Sequence, residues 1–282
     1  MNIALLGTGL MGAPAALRLQ QQGHDVTAWN RTAEKAEAAL QGKVPVTADL
    51  TTAINAADTL LLFLSDAEAI SSVLFSVPAR LLAGKTIIQM GTIAPDQSRA
   101  LQTRLNALQA SYLEAPVLGS IPEARAGTLL LMVGATPQQF EQYLPLLSAL
   151  GESPRLMGPV GKAAAVKLAM NQLIAGLTAS FSLSLNFVLA EGAEVSQFME
   201  ILRESALYAP TFDKKLGKML EGSYDNPNFP LKHLDKDVKL FLQAAATHHL
   251  NTAMLNGVAA IIEDGLAQGH GNDDYSALRE SI

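Results

Sequence analysis

The sequence predicts an α/β protein in which a doubly wound sheet domain is followed by an all-helical domain, the two joined by a long helix. Residues 1 to about 157 alternate short apolar runs with helical patterns, as buried strands and crossover helices do. After residue 161 no strand pattern remains, and residues 162–192 keep helical periodicity without a clear break. We therefore predict one domain over residues 1–160 and an all-helical domain over residues 161–282.

Eight strands are expected in the first domain. They cover residues 3–6, 26–29, 44–47, 60–64, 86–90, 112–115, 129–133 and 155–157. In the second domain, helices are expected near residues 195–206, 211–221, 231–249, 252–268 and 273–280. Ligands bind doubly wound sheets at the carboxyl ends of the strands, so the residues that follow each strand are candidates for a site.

Composition excludes several classes of function. The chain of 282 residues has a net charge of −6, which disfavours nucleic acid or an anionic membrane as a partner. It contains no cysteine, so disulfides, thiolate chemistry and cysteine-ligated metals are ruled out. The chain opens on a strand rather than on a secretory leader, and we expect a cytoplasmic protein. We expect no membrane span, because the most apolar stretch, residues 168–190, is interrupted by Asn171, Gln172 and Asn186.

A glycine-rich turn follows the first strand and opens a helix. Gly7 allows the tight turn, Gly9 lets the backbone approach a pyrophosphate, and Gly12 lets the helix pack close to the strand. The helix N-terminus offers N–H groups to the phosphates. This context predicts a Rossmann dinucleotide-binding domain whose cofactor contacts the turn residues Gly7, Thr8, Gly9, Leu10, Met11 and Gly12.

The end of the second strand indicates which dinucleotide binds. An acidic residue there would hold the ribose 2′-hydroxyl, but this chain has Asn30, Arg31 and Thr32. A cation at this place suits a 2′-phosphate, so the predicted cofactor is NADP rather than NAD. The ends of the fourth and fifth strands are expected to face the same cofactor, through Leu64, Ser65 and Thr92.

Lys167 and Asn171 form a second constellation. They are i, i+4 neighbours, so they share one face of the helix that begins where the first domain ends. The neighbours of Lys167 are largely apolar, and partial burial would suit the lysine to proton transfer. Alternatively, its stem lies on apolar groups at the surface, or its ammonium pairs with a carboxylate. Spacing alone leaves these readings open.

Four blocks resemble the β-hydroxyacid dehydrogenase family, the relatives of 3-hydroxyisobutyrate dehydrogenase and of decarboxylating 6-phosphogluconate dehydrogenases. Residues 7–14 are similar to its G-x-G-x-M-G-x-P opening, and residues 114–120 to its D-A-P-V-S-G-G substrate loop. Residues 158–171 are similar to G-x-x-G-x-x-x-x-x-K-x-x-x-N, and residues 229–237 to F-x-x-x-x-x-x-K-D. Residues 29–32 resemble the NADPH-dependent branch of glyoxylate and succinic semialdehyde reductases.

The resemblance implies which residues handle the substrate. Lys167 would protonate the carbonyl oxygen as hydride reaches the carbon, and Asn171 would orient that oxygen or the lysine. Gly119 and Ser120 would offer N–H groups to a substrate carboxylate. Phe229 would cover the substrate.

The resemblance also implies three supporting roles. Thr92 would face the nicotinamide ring, and Lys236 would touch the cofactor. Asp237 would line the substrate site and help to hold Lys167 in place.

Two positions depart from the family pattern. Leu118 stands where the substrate loop has serine, which removes a hydroxyl expected to grip a carboxylate. Ser120 offers a replacement hydroxyl, and the loop also suits a larger or less anionic carbonyl compound. Met90 stands where an acidic residue is frequent, and the sequence assigns it no role.

Taken together, these residues predict an NADPH-dependent reductase of a small aldehyde or keto acid. One alternative is an imine reductase, a class that shares the opening and the Trp-Asn-Arg-Thr run but generally lacks lysine at the position of Lys167. The other is a non-catalytic dinucleotide-binding protein, which the pair of Lys167 and Asn171 disfavours. The histidines form no H-E-x-x-H, so no metal site is predicted, and no G-x-S-x-G supports hydrolysis.

The long helix also predicts self-association. Its apolar positions Leu173, Leu177, Phe181, Leu185 and Val188 would supply a partner surface, unless they are buried within the same chain. The resemblance favours a homodimer or homotetramer.

Overall fold

The computed structural model describes residues 1–282, which form two compact units, Met1–Leu168 and Ala169–Ile282. The division falls inside one helix, Lys162–Ala190, which belongs in part to each unit. The predicted boundary at residue 160 lies just before this helix begins.

The first unit is built around one sheet of nine strands. They are β1 Asn2–Leu6, β2 Asp25–Trp29, β3 Val46–Thr47, β4 Thr59–Leu62, β5 Thr86–Gln89, β6 Ser111–Glu114, β7 Val117–Leu118, β8 Leu130–Gly134 and β9 Arg155–Gly158. The strand order is β3-β2-β1-β4-β5-β6-β8-β7, and β9 pairs with β8 outside this path. Strands β1 to β6 pair in parallel, whereas β8 runs antiparallel to β6 and β7. The order reverses at β1, between β2 and β4, which is where such sheets bind ligands.

Helices cover both faces of this sheet. They are α1 Gly12–Gln21, α2 Ala33–Leu40, α3 Leu50–Asn55, α4 Ala67–Leu74, α5 Pro95–Ala107, α6 Ile121–Ala126 and α7 Pro137–Ser148. Successive residues of β1 point to opposite faces, so Ile3 and Leu5 join one apolar core while Ala4 and Leu6 join the other. These two cores confirm the predicted doubly wound domain.

The second unit is helical, as predicted. Its helices are the C-terminal part of α8 Lys162–Ala190, then α9 Val195–Glu204, α10 Pro210–Glu221, α11 Leu231–Ala246 and α12 Ala253–Ala267. Two 3₁₀ helices, His270–Asn272 and Tyr275–Ser281, follow them.

The final segment differs from the helix expected at residues 273–280. Asp274 is fully buried, and its carboxylate lies 2.7 Å from the Lys215 ammonium of α10. The same carboxylate accepts hydrogen bonds from the backbone and the hydroxyl of Ser276. These contacts fix the chain at the start of Tyr275–Ser281, which winds as a tighter 3₁₀ helix.

The structure corrects part of the predicted association surface on α8. Phe181 and Leu185 are buried in the second unit's own core, where the Phe181 ring stacks on Phe212 with centroids 4.6 Å apart. Leu173 and Leu177 are exposed as expected, and Phe187 is 64% exposed. Helix α8 therefore does expose apolar side chains, but not all of the predicted residues are among them.

The polar residues that interrupt this helix do not bring it below the length and hydropathy of a membrane-spanning helix. By length and composition alone α8 could cross a membrane, since an 18-residue window has a mean hydropathy of 1.8. A third of that window, 33%, is buried inside the protein. Core helices and helices of protein interfaces share this length and composition, so the feature by itself is weak support for a membrane span.

Candidate active site

The glycine turn after β1 has the geometry of a phosphate cradle. Gly7 has φ +101°, and a side chain there would overlap the Phe63 carbonyl group. A side chain on Gly12 would overlap the Gly7 carbonyl oxygen, whereas the space beside Gly9 is open for 4 Å. The Thr8 hydroxyl is buried without a hydrogen-bond partner, and no side chain caps the start of α1. An anion can therefore approach unpaired donors at this turn.

A cavity of about 410 Å³ lies at the end of β2. Its lining residues are Trp29, Asn30, Arg31, Leu64, Ser65, Asp66, Glu68, Ala69, Ser72 and Val73. Asn30 connects this cavity to the turn, because its side-chain oxygen accepts a hydrogen bond from the Thr8 N–H at 3.4 Å. Its amide group donates to the Thr32 carbonyl at 2.9 Å. Asn30 thus links the glycine turn to this cavity, whose wall also includes the exposed Arg31.

The ends of β4 and β5 meet beside this cavity. A Cβ atom on Gly91 would lie 2.6 Å from the Leu64 carbonyl oxygen, so the two chain segments touch. Thr92 follows directly and is half-buried. Met90, for which the sequence offered no role, is buried in the core of one sheet face.

The predicted substrate loop lies between β7 and α6. Leu118 pairs with Leu130 of β8 and is half-buried, and Gly119 takes φ +137° beside the Leu129 side chain. Ser120 is the residue just before α6, and both its N–H and its hydroxyl donate to the Glu123 carboxylate, at 2.8 and 2.5 Å. Of the donors predicted to meet a substrate carboxylate, those of Ser120 therefore already hold a carboxylate of the protein. The sequence reasoning missed this contact, although the S-x-x-E spacing is a capping signal.

Lys167 lies near the start of α8 and is 9% exposed. Its neighbours on the helix, Ala163, Ala164 and Leu168, are also buried. The reading of Lys167 as a surface lysine therefore does not hold. A lysine that is largely removed from water is chemically suited to donate a proton.

Asn171 lies one turn after Lys167 on α8 and anchors a polar cluster within the second unit. Asn171 is 1% exposed, and its amide group donates to Asp237 of α11 at 2.5 Å. The other carboxylate oxygen of Asp237 lies 2.9 Å from the Lys236 ammonium. The Asn171 side-chain oxygen has no partner, so it remains available to accept a hydrogen bond from a ligand.

Phe229 belongs to an aromatic group at the start of α11. Its ring stacks on His233 with centroids 6.5 Å apart, and it meets Tyr275 edge-on at 5.8 Å. Burial lowers the pKa of His233, and the nearby Lys232 and Lys236 lower it further. The sequence reasoning gave His233 no role, although it stands one turn before Asp237 on the same helix.

Glu114 is the first residue of the block 114–120, and the sequence gave it no role of its own. In the structure its side chain accepts four hydrogen bonds. Its carboxylate is buried and accepts hydrogen bonds from Ser98 and from three backbone N–H groups at the start of α8. Burial raises the pKa of the Glu114 carboxyl, and these hydrogen bonds oppose the shift. No spacing rule connects residue 114 to residue 161, so sequence alone gave no signal of this contact.

Comparison with known proteins agrees with this division of the chain. Residues 2–161 match the NAD-binding domain of 6-phosphogluconate dehydrogenase. Residues 161–282 match a family described as NAD-binding of NADP-dependent 3-hydroxyisobutyrate dehydrogenase. An α/β dinucleotide-binding unit followed by this helical unit defines a class of NAD(P)-dependent oxidoreductases.

Individual relatives show which enzymes of this class the chain is similar to. The chain is 30% identical to 2-hydroxy-3-oxopropionate reductase of Escherichia coli K12, over 100% of this chain and 97% of the relative. It is 29% identical to the chloroplastic glyoxylate/succinic semialdehyde reductase 2 of Arabidopsis thaliana, over 100% and 79%. The structure of Mycobacterium tuberculosis 3-hydroxyisobutyrate dehydrogenase with L-serine shares the fold, with a TM-score of 0.88, 21% identity, and coverage of 99% and 98%. The chain belongs to the β-hydroxyacid dehydrogenase family.

Proposed function

We propose that this protein uses NADPH to reduce a small aldehyde or keto acid, of the glyoxylate or succinic semialdehyde type, to the hydroxy acid. The observation that carries the proposal is the buried Lys167, one helical turn before a buried Asn171 that Asp237 holds in place. Relatives named as reductases of glyoxylate, succinic semialdehyde and 2-hydroxy-3-oxopropionate support the substrate class.

Each of the proposed site residues has a separate role in the reduction. When bound, NADPH supplies the hydride. Lys167 delivers the proton to the carbonyl oxygen, which removes the negative charge that develops there. The unpaired Asn171 oxygen accepts a hydrogen bond from the Lys167 ammonium or from the hydroxyl of the product once the proton has been transferred, while Asp237 fixes the orientation of the amide. Phe229, stacked on His233, covers the substrate and excludes water.

The preference for NADP over NAD rests on Arg31. Its guanidinium lies in the wall of the cavity beside Asn30, where the adenosine ribose of a dinucleotide on the glycine turn is expected. Arg31 forms no ion pair within the protein, so its charge is available for a 2′-phosphate. The description of the matched C-terminal domain, which names an NADP-dependent dehydrogenase, supports the same choice.

A substrate panel tests the proposed activity. Purified protein is assayed for loss of NADPH absorbance with glyoxylate, succinic semialdehyde, other keto acids and cyclic imines. We expect turnover with the aldehydes or keto acids. Preference for the imines would replace the proposal with imine reduction, and NADPH binding without turnover on any compound would favour a non-catalytic binding protein.

The Glu123 carboxylate is expected to weaken the binding of substrates that carry a carboxylate beside the carbonyl. It occupies both donors of Ser120, and two like charges about 4 Å apart repel by about 1 kcal/mol in water. Glu123→Gln keeps an acceptor for Ser120 but removes the charge. We expect its KM for glyoxylate to fall about three- to tenfold, with the KM for propanal unchanged.

Glu141→Gln, an exposed substitution on α7, is the matched control and should change neither KM. If Glu123→Gln leaves the KM for glyoxylate unchanged, Ser120 does not contact a substrate carboxylate.

We also propose that a second copy of the chain covers the exposed apolar positions of α8, giving a homodimer or homotetramer. Leu173, Leu177, Leu183 and Phe187 are large apolar side chains that are 38–64% exposed, and groups of exposed apolar side chains often mark interaction surfaces. Light scattering coupled to size-exclusion chromatography should give a mass two or four times the chain's 29.8 kDa. A monomer at micromolar concentration would contradict the proposal.

A further inference from the structure

The first turn of α8 is fastened to the sheet by one buried side chain. Glu114 is the last residue of β6, where its backbone pairs with Gln89 of β5 and Gly134 of β8. Its side chain is 1% exposed. One carboxylate oxygen, Oε1, accepts the N–H groups of Gly161, Ala163 and Ala164 at 2.8, 3.0 and 3.0 Å.

The second oxygen of Glu114 is held from the other side. Ser98 of α5 donates its hydroxyl to Oε2, and the Ser98 oxygen lies 2.8 Å from the Tyr112 hydroxyl. Ser98 and Tyr112 are both buried. The carboxylate therefore has little freedom to move, and its position is set by β5, β6 and α5.

Helix α8 has no local substitute for this contact. The residue before the helix is Gly161, which has no side chain to accept the N–H groups of the first turn. A carboxylate at this end also interacts favourably with the positive end of the helix dipole. Residue 114 thus does the capping that Ser, Thr, Asp or Asn does in most helices.

The neighbouring strand is shaped around the same carboxylate. A Cβ atom on Gly134 would lie 2.6 Å from Cγ and 2.8 Å from Cδ of Glu114, distances too short for any side chain. Gly134 lies in β8 directly opposite Glu114. The absence of a side chain at residue 134 is therefore a condition for the observed position of Glu114.

We propose that Glu114 is a positioning residue for Lys167, which it places by fixing the first turn of α8 against the sheet. Lys167 follows Ala164 by three residues, about 4.5 Å along the helix axis, so a displacement of the first turn is transmitted directly to the lysine. A proton donor misplaced by about 1 Å can lose about 100-fold in rate. The inference rests on the proposed role of Lys167 in carbonyl reduction.

Two substitutions of Glu114 separate the effect of its side-chain length from the effect of its negative charge. Glu114→Gln keeps an oxygen at the place of Oε1 and can still bond Ser98, but it has no charge. Glu114→Asp keeps the charge and withdraws the carboxylate by one methylene group, away from α8. We expect kcat for aldehyde reduction to remain within about threefold in Glu114→Gln and to fall about 10- to 100-fold in Glu114→Asp, while the KM for NADPH changes less than about twofold in both.

Further variants and a stability measurement distinguish a specific loss of activity from a loss of folding. Gly134→Ala pushes on the same carboxylate from β8 and should lower kcat as Glu114→Asp does. Asp49→Asn alters another carboxylate cap, at the start of α3, and should leave kcat unchanged. Kinetics are measured well below the unfolding midpoint that circular dichroism gives for each variant.

Each other result overturns the proposal. A loss of kcat in Glu114→Gln with none in Glu114→Asp would show that the negative charge of Glu114, and not the length of its side chain, is what matters for activity. Equal losses in both variants, or none in either, would show that Glu114 does not position Lys167. Two further results distinguish the levels of inference: retained turnover in Lys167→Met contradicts the proton-donor role of Lys167 on which this proposal rests, and absence of turnover in the natural protein contradicts the proposed function itself.

Discussion

Replacing Lys167 with alanine or methionine is expected to remove carbonyl reduction while leaving NADPH binding intact. Lys167 is the proposed donor of the proton that the carbonyl oxygen takes up during hydride transfer. General acid catalysis contributes about 10²- to 10⁴-fold to such reactions, so kcat should fall by about that factor. The KM for NADPH should stay within about threefold, because the glycine turn and the Arg31 cavity belong to other segments of the first unit.

The measurement combines turnover with binding. Initial rates of NADPH oxidation give kcat, and the fluorescence of Trp29 reports binding, since it is the only tryptophan and lines the cavity. Lys162→Met is the matched control, because it removes an exposed lysine from the first turn of the same helix. Retained turnover in the Lys167 variants at neutral pH would defeat the assignment, and loss of NADPH binding would give Lys167 a different role.

Replacing Arg31 with alanine is expected to reverse much of the cofactor preference. A charge-assisted hydrogen bond to a phosphate stabilises binding by about 1.5–3 kcal/mol, which corresponds to about 10- to 100-fold in affinity. The KM for NADPH should rise by about this factor, whereas the KM for NADH should change little because NADH has no 2′-phosphate.

The comparison is made with both cofactors at a saturating aldehyde concentration. Lys43→Ala removes an exposed cation outside the cavity and controls for the loss of one positive charge. Rising salt should weaken the NADPH preference of the natural chain more than that of Arg31→Ala. Equal effects of Arg31→Ala on NADPH and NADH would reject the 2′-phosphate contact.

The parts of the fold that sequence predicted are those with a strong local signal. Strands β1 and β4 contain unbroken apolar runs, residues 3–6 and 60–62, and no proline interrupts the 29 residues of helix α8. The third strand is shorter than predicted, since only Val46–Thr47 pairs with β2. Pro45 lacks the N–H that a longer ladder would need. The two-residue strand β7 is too short to give a pattern.

The candidate site was predictable where a motif fixes the chemistry. The Thr8 N–H of the glycine turn donates to Asn30, Arg31 lines the neighbouring cavity, and Lys167 is buried. The roles of these residues in cofactor binding and proton transfer stay predictions. Contacts made across large sequence separations were not predictable. Glu114 reaches 47 residues along the chain to Gly161, and Asn171 reaches 66 residues to Asp237.

The buried and exposed positions of α8 show a second reason for failure. Periodicity predicted one apolar stripe, but Phe181 and Leu185 pack in the core while Leu183 and Phe187 face outward. A helix that is apolar on several faces has no single preferred stripe, so its sequence does not determine which face packs against the rest of the unit.

Transfer of a labelled hydride tests the central claim most directly. The natural protein is mixed with NADPH deuterated at the transferable C4 position and with glyoxylate or succinic semialdehyde, and the product is examined by mass spectrometry. We expect the hydroxy acid to form in proportion to the NADPH consumed, with one deuterium on the former carbonyl carbon. Binding of NADPH without any labelled hydroxy acid, across the whole panel of aldehydes and keto acids, would contradict the proposed function.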